Sequence, residues 1–328
     1  MPLSAPTLAR TAIVAGVAVL AVLSLAVGQY DISLTSLFTG GDAAQMFSLS
    51  RVPRTLALVF SAIAMSVCGV IMQMITQNKF VEPTTAGTSQ WAGLGVLVVL
   101  LVAPGSPPLV RMGVASVFAL VGTLLFLAIL RRVRSQTHGA RGSLVVPLVG
   151  MMLGAVVGAI VTFLAAQFNL LQSMAAWRSG GYSSIVAGFY EPLWAVLVVA
   201  VLAWIAADRF TVVGLGRDIA TNAGLNYERT VFYGTCLVAI ATGITAVVVG
   251  FIPFLGLVVP NIVSILLGDD LRRNLPWVAL LGVALLLACD LVGRTIVAPM
   301  EIPASVVLGV VGAVTFIALV LRQRSKAA

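Results

Sequence analysis

The sequence predicts an all-α, polytopic membrane protein, a bundle of about ten transmembrane helices. Three observations carry this expectation. Of 328 residues, 60% are hydrophobic and 9% are charged, where an ordinary soluble domain has roughly 45–50% and 25%. Mean hydropathy is +1.10. The apolar runs are apolar on every side instead of alternating, which favours helices over a transmembrane barrel. Soluble globular enzymes, disordered chains and secreted disulfide scaffolds are excluded on the same grounds.

A crossing needs ~20 apolar residues. Runs of that kind fall at 9–28, 54–76, 85–103, 109–130, 144–166, 190–207, 229–250, 254–268, 276–296 and 304–321. The first follows Arg10 in the manner of a leader peptide, but many runs follow it, so it reads as an uncleaved first helix. The stretch 142–177 carries no charge and is too long for one helix. A short outer helix near Ser173–Ala187 is therefore expected after the fifth span. Within that span, GMMLGAVVG sets Gly150, Gly154 and Gly158 on one face, with Met151 beside them. Such a face serves ordinary helix packing or lines a pathway. The stretch 230–268 is also uncharged, and FIPFLGLVVPNI breaks it. Pro253 and Pro260 interrupt helical hydrogen bonding, so one full span, a turn at Gly250–Pro253 and a shorter irregular helix are expected. Irregular backbone at membrane depth packs inside protein or beside a cavity, which makes Pro253, Pro260 and Asn261 candidate pathway or gate residues.

The charges orient the bundle. Net charge is +8, and the basic residues sit in the short gaps between apolar runs, where topology places them. That use of Lys and Arg argues against nucleic-acid binding and for lipid as the surrounding partner. With the N-terminus inside, inner segments hold Arg10, Lys79, Arg131, Arg132, Arg134, Arg141, Arg209, Arg217, Arg229, Arg272, Arg273, Arg322, Arg324 and Lys326. Outer segments hold Arg51, Arg54, Arg111, Arg178 and Arg294. This bias selects an even number of spans with both termini cytoplasmic.

The chemistry that is missing narrows the function. Neither lysine, Lys79 or Lys326, follows a glycine, so the phosphate-binding GxxxxGK[ST] loop is absent. HExxH and GxSxG are absent too. His138 stands alone in a basic loop, and Cys68, Cys236 and Cys289 lie inside apolar runs without a CxxC. No catalytic residue, metal ligand or directly bound cofactor is expected, and the chain reads as a non-enzyme. Asp290 and Arg294 are ionisable, lie four apart on one helix and can pair. No acidic residue falls near the middle of another span, which counts against an ion-coupled secondary transporter. The longest polar inner loop, DRFTVVGLGRDIATNAGLNYERT, reads as two short helices bent at Gly224. It suits a docking surface for a cytoplasmic partner.

The segment RVPRTLALVFSAIAMSVCGVIMQMITQNKFVEPTTAGTSQWAGLG resembles the second and third helices of the iron-siderophore and cobalamin permease family. The carriers are Arg51, Pro53, Arg54, Gly69, Gln73, Asn78, Pro83, Gly87 and Ser89. WRSGGY (Trp177, Gly180), GFIPFLGLVVPNIVSILLGDDLRRNLP and MEIPASVVLGVVGAVTFIALVLR are similar to three further blocks of that family, in order. Departures are Pro253 and Phe254 as extra residues, Asn261 and Asp270 in place of histidines, and Val314-Thr315 in place of Pro-x. NKFVEPTTAGTSQWAGLG is most similar to the subgroup serving catecholate siderophores of the petrobactin or enterobactin kind.

The resemblance implies the permease fold of a type II ABC importer, one transmembrane domain over 1–328 with a coupling segment at about 208–229. It implies a second permease subunit, identical or different, two cytoplasmic ATPase subunits holding ATP and Mg, and an extracytoplasmic siderophore-binding protein. The cargo would be an iron–siderophore complex, or cobalamin or haem as elsewhere in the family. The site would be the bacterial cytoplasmic membrane. Arg51, Arg54 and Arg294 would meet acidic groups of the binding protein. Asp218, Ala220, Ala223, Gly224 and Leu225 would meet the ATPase.

Overall fold

A computed structural model of the protein describes residues 5–27, 42–134, 141–268 and 270–327. His138 lies outside the described residues. In chain order the helices are α1 (Ala5–Ala26), α2 (Asp42–Met46), α3 (Val52–Thr76), α4 (Thr88–Val102), α5 (Pro108–Arg134), α6 (Arg141–Gln167) and α7 (Leu171–Ser179). There follow α8 (Trp194–Ile205), α9 (Ala207–Gly214), α10 (Arg217–Asn222), α11 (Tyr227–Val248), α12 (Leu255–Leu267), α13 (Leu271–Thr295) and α14 (Ala304–Ala327). Among the described residues, five helical runs are long and apolar enough to cross a bilayer, α8 with α9 would add a sixth if the pair, bent by 61°, is one span, and four shorter apolar helices remain. These ten segments overlap the ten apolar runs of the sequence.

The bundle is built around α3, whose span is 83% buried. It packs against α8, α9, α11, α12 and α13. A second group, α4, α5 and α6, is joined to it through α11, which touches both α3 and α5. The α6 span is the least covered of the long ones, at 28%. Close approach of α3 and α12 depends on glycine. A Cβ at Gly69 would lie 2.0 Å from the Gly256 carbonyl oxygen, so any side chain there would force the helices apart.

Several local expectations change. The helical run into α3 includes α2 (Asp42–Met46), ahead of the RVPR segment, and passes through a π-helical turn at Phe47–Arg51. Pro53 is accommodated because it falls in the first turn of α3. The helix expected near Ser173–Ala187 ends early. It is α7, closed at Gly180 in a left-handed conformation (φ 59°) that glycine adopts without steric cost. The broken pair is present as α11, a non-helical turn and α12, but α12 runs unbroken through Pro260. Pro260 has no N–H to give the Gly256 carbonyl. The side-chain amide of Gln73 on α3 donates to that carbonyl instead, at 3.3 Å, which fills the gap the proline leaves.

The inner loop also departs from expectation. Its first helix, α9, continues α8 around the bend at Ala206, and its second, α10, is six residues long. The sharp turns lie on both sides of α10, at Gly216 (φ 116°) and Gly224 (φ 79°). Gly224 is thus one of two hinges of the segment.

Candidate functional site

Polar residues gather at three places in the bundle. The first is the end the charges assign to the outside, hereafter the outer end. Arg54 donates from Nη2 to Asp290 Oδ1 at 2.8 Å and from Nη1 to Glu301 Oε2 at 2.8 Å. Arg294 donates from Nε to Asp290 Oδ2 at 2.7 Å, so Asp290 bridges two arginines. Arg294 also donates to the Ser24 and Val27 carbonyls, at 3.1 and 2.9 Å, while Arg51 donates to those of Leu25 and Ala26, at 3.0 and 2.6 Å. The carbonyls at the end of α1 have no partners within their own helix. Two basic side chains satisfy them and complement the negative end of the helix dipole.

Arg54 and Arg294, expected to be presented to a partner, are turned toward carboxylates of this chain. Their side chains are 13% and 5% exposed, and carboxylates of this chain already face them. Arg51 is half-buried against α1. The three arginines do lie together at one end, and what they do there is tie α1, α3 and α13 into one unit. Glu301, at 22% exposure, is the rim of the cluster.

The second place lies deeper, and sequence reasoning missed it. The connection 77–87 folds back between helices and brings Glu82 beside the start of α12. Glu82 is fully buried. Its Oε1 accepts from the Phe254 backbone N–H at 2.8 Å and from the Thr84 hydroxyl. Since the Gly256 turn packs on Gly69, seven residues before the end of α3, Glu82 sits about 10 Å inward from that end. A carboxylate there favours the positive N-terminal end of α12. Asn261 secures the same connection from the other side, donating to the Lys79 carbonyl at 2.7 Å. The signal in the sequence was Glu82, the one acidic residue of the connection, followed by Pro83. Reading spans by length set it aside as loop.

Of the remaining candidates for a pathway or gate, Gly150 and Gly154 are buried contacts. A Cβ at Gly150 would meet the Thr85 carbonyl at 2.1 Å, and Gly154 faces Gly87 and Gln90. Both hold α6 against the 77–87 connection. Gly158 and Met151 are more open, Met151 being 51% exposed. Pro260 lines an inner cavity of about 250 Å³ between α3, α9, α12 and α13. Pro253 is half-buried and faces Gly309 of α14.

The third place is the inner segment α9–α10. Asp218, Ala223 and Gly224 are exposed and Leu225 is half-buried, but Ala220 is fully buried and faces the bundle. Leu215 and Ile219, which the sequence reading left out, are 60% and 52% exposed. Apolar side chains held in water at a polar loop are the usual mark of a contact surface. Struts fix the segment at both ends. Glu228 pairs with Arg131 of α5 and with Arg217 of α10, and Arg272 of α13 pairs with Asp208 of α9. Arg272 also stacks over the Trp204 ring at 5.2 Å. Asn226 caps α11 and Asp270 caps α13 through their side-chain oxygens.

A model of the FecCD transport family matches residues 16–322. The chain belongs to the FecCD transport family. Among the relatives of this FecCD-family chain, the petrobactin import system permease protein FatD of Bacillus anthracis is 47% identical over 308 residues, 94% of this chain and 89% of that one. The ferric-anguibactin transport system permease protein FatD of Vibrio anguillarum is 41% identical, covering 83% and 85%. The vitamin B12 import system permease protein BtuC of Escherichia coli is 32% identical, covering 92% and 91%. In fold, the chain is similar to a solved metal-chelate type ABC transporter in an inward-facing conformation, with TM-score 0.78 and 22% identity over 95% of this chain and 98% of that one. A FecCD-family permease is a multi-pass membrane protein of an import system, and the helical bundle with its strutted inner segment is that architecture.

Proposed function

We propose that this chain is the permease subunit of an ATP-driven importer of ferric siderophore complexes. The observation that supports this most is the family match across residues 16–322 together with 41–47% identity to petrobactin and ferric-anguibactin import permeases. ATP with Mg is bound and hydrolysed on two separate cytoplasmic subunits, in keeping with the missing phosphate-binding loop. The exposed side chains Leu215, Asp218, Ile219 and Ala223 meet those subunits. The ion-pair struts at Glu228 and Asp208 transmit their motion to α5, α11 and α13 as a rigid-body switch. A second permease subunit, identical or different, completes the pathway against the little-covered α6. A siderophore-binding protein docks at the outer end, where Arg51 and Glu301 are the reachable charges and Arg54 and Arg294 hold the surface in shape. Both termini are cytoplasmic.

The test is uptake of radio-iron-labelled ferric petrobactin into proteoliposomes holding the permease with its ATPase and binding protein. Uptake should require ATP. A second reading, ion-coupled transport, draws on Glu82 as a buried carboxylate at membrane depth. Uptake driven by a proton or sodium gradient with no ATPase present would establish that reading and overturn the first.

A further inference from the structure

A cavity of about 270 Å³ opens between α4, α6 and α7, at the start of α4 and nine residues before the end of α6. Its wall includes Ser89 and Gln90 of α4, Gly158 of α6, Trp177 and Arg178 of α7, and Phe251. The Arg178 guanidinium lies across Gly158, with Nη2 3.4 Å from where a Cβ would stand. A Cβ there would be in ordinary van der Waals contact with the guanidinium, so a small residue on α6 leaves the seat open and a large one would fill it. The helix carrying it is firmly held. The Trp177 indole N–H donates to the Ala246 carbonyl, its ring covers Gly93, and the Ser305 hydroxyl bonds the carbonyl of Ser179. Among the described residues, the carboxylates engaged in ion pairs serve other arginines, and none is paired with Arg178.

We infer that Arg178, seated on Gly158 and flanked by Ser89 and Gln90, forms a cargo-contact site for the anionic oxygens of a metal chelate along the pathway. This rests on the proposed reading of the chain as a ferric siderophore permease. A guanidinium is charged at every accessible pH and offers a planar fork to oxyanions. Ferric iron is a hard cation held by anionic oxygen donors, so such complexes present oxyanions at their edges. The cavity is below the ~300–1,000 Å³ that encloses a drug-sized ligand. It fits one arm or edge of a chelate, with the rest in the pathway. The position of Arg178 in the last turn of α7 also suits the helix dipole, an effect that needs neither the cavity nor the glycine. Lysine would serve that purpose equally well.

The test uses the assembled permease, ATPase and binding protein in phosphatidylcholine proteoliposomes, with radio-iron-labelled ferric petrobactin as the probe. Arg178→Gln should lower uptake about tenfold, the loss expected for a charge-assisted hydrogen bond. Arg178→Lys should recover part of that loss. Gly158→Leu, which leaves the arginine in place but occupies its seat, should give a defect like that of Arg178→Gln. Arg111→Gln, at an outer-end arginine that donates to the Pro104 carbonyl away from the cavity, should stay within about twofold of the parent. If Arg178→Gln transports like the parent, or Arg178→Lys recovers everything, the site is overturned and the cargo reading stands. A defect that appears only when phosphatidylglycerol is added would assign Arg178 to lipid headgroups and also overturn it. If the parent moves no ferric petrobactin, the cargo reading falls first and takes this site with it.

Discussion

Two buried polar sites hold this bundle together, and they balance charge by different means. At the outer end, Asp290 and Glu301 face Arg54 and Arg294, so charge is met by charge across α3, α13 and the segment after α13. At the start of α12, a single carboxylate, Glu82, is met by a backbone N–H and a hydroxyl, with no cation among its hydrogen-bond partners. The first site fixes how separate helices meet. The second fixes a folded-back connection to one helix end, where the helix dipole contributes the positive field. Removing one member should therefore be costly at the first and mild at the second, provided an acceptor remains.

The strongest test of that contrast is Asp290→Asn. It leaves two buried guanidinium groups short of an anion and should cost roughly 3–5 kcal/mol, seen as a collapse of the folded fraction by fluorescence-detected size exclusion. Arg54→Glu belongs in the same class, because a third carboxylate would face Asp290 and Glu301. It should lose folded protein before any docking defect can be measured. Next in size is Gln73→Leu, which orphans the Gly256 carbonyl and should cost about 1–3 kcal/mol, read as a lowered melting temperature in detergent. Glu82→Gln keeps an acceptor for Phe254 but loses the charge at the helix end, a loss of about 1 kcal/mol. If Glu82→Gln proves as damaging as Asp290→Asn, the contrast is wrong and Glu82 is a charged anchor in its own right. Comparable in stability terms is Gly224→Val. Nothing lies within 4 Å of a Cβ there, and the strain is confined to φ 79°, about 1–2 kcal/mol. Its expected signature is ATP hydrolysis without uptake in the assembled transporter, with only a modest drop in melting temperature.

The two sites were not equally legible. The ten apolar helical segments could be read because apolar run length is a local property, and Pro, Gly and charge mark its limits. The α11–α12 break was legible for the same reason. Asp290 with Arg294 was visible as a pair four residues apart on one helix. That Arg54 joins them from 236 positions away is a fact of packing, and no local pattern distinguishes an arginine turned inward from one turned out. Glu82 was hidden because a connection that returns to membrane depth looks like any loop in one dimension. Ala220 was taken as presented because α10 is too short to show a periodic face, whereas Leu215 and Ile219 stood in the sequence as apolar residues within a polar loop.

The Gln73–Gly256 bond bears on how the chain is made. At 13 residues, α12 is about 20 Å long, short of the ~17–25 residues a segment needs to partition into lipid alone. It also leaves the ribosome with a carbonyl it cannot satisfy itself. The partner for that carbonyl, and the glycine that lets it come close, are on α3, synthesised some 180 positions earlier. The surface that completes α12 is therefore encoded before α12 itself, and an N-terminal truncation that removes α3's glycine and glutamine would leave α12 without it.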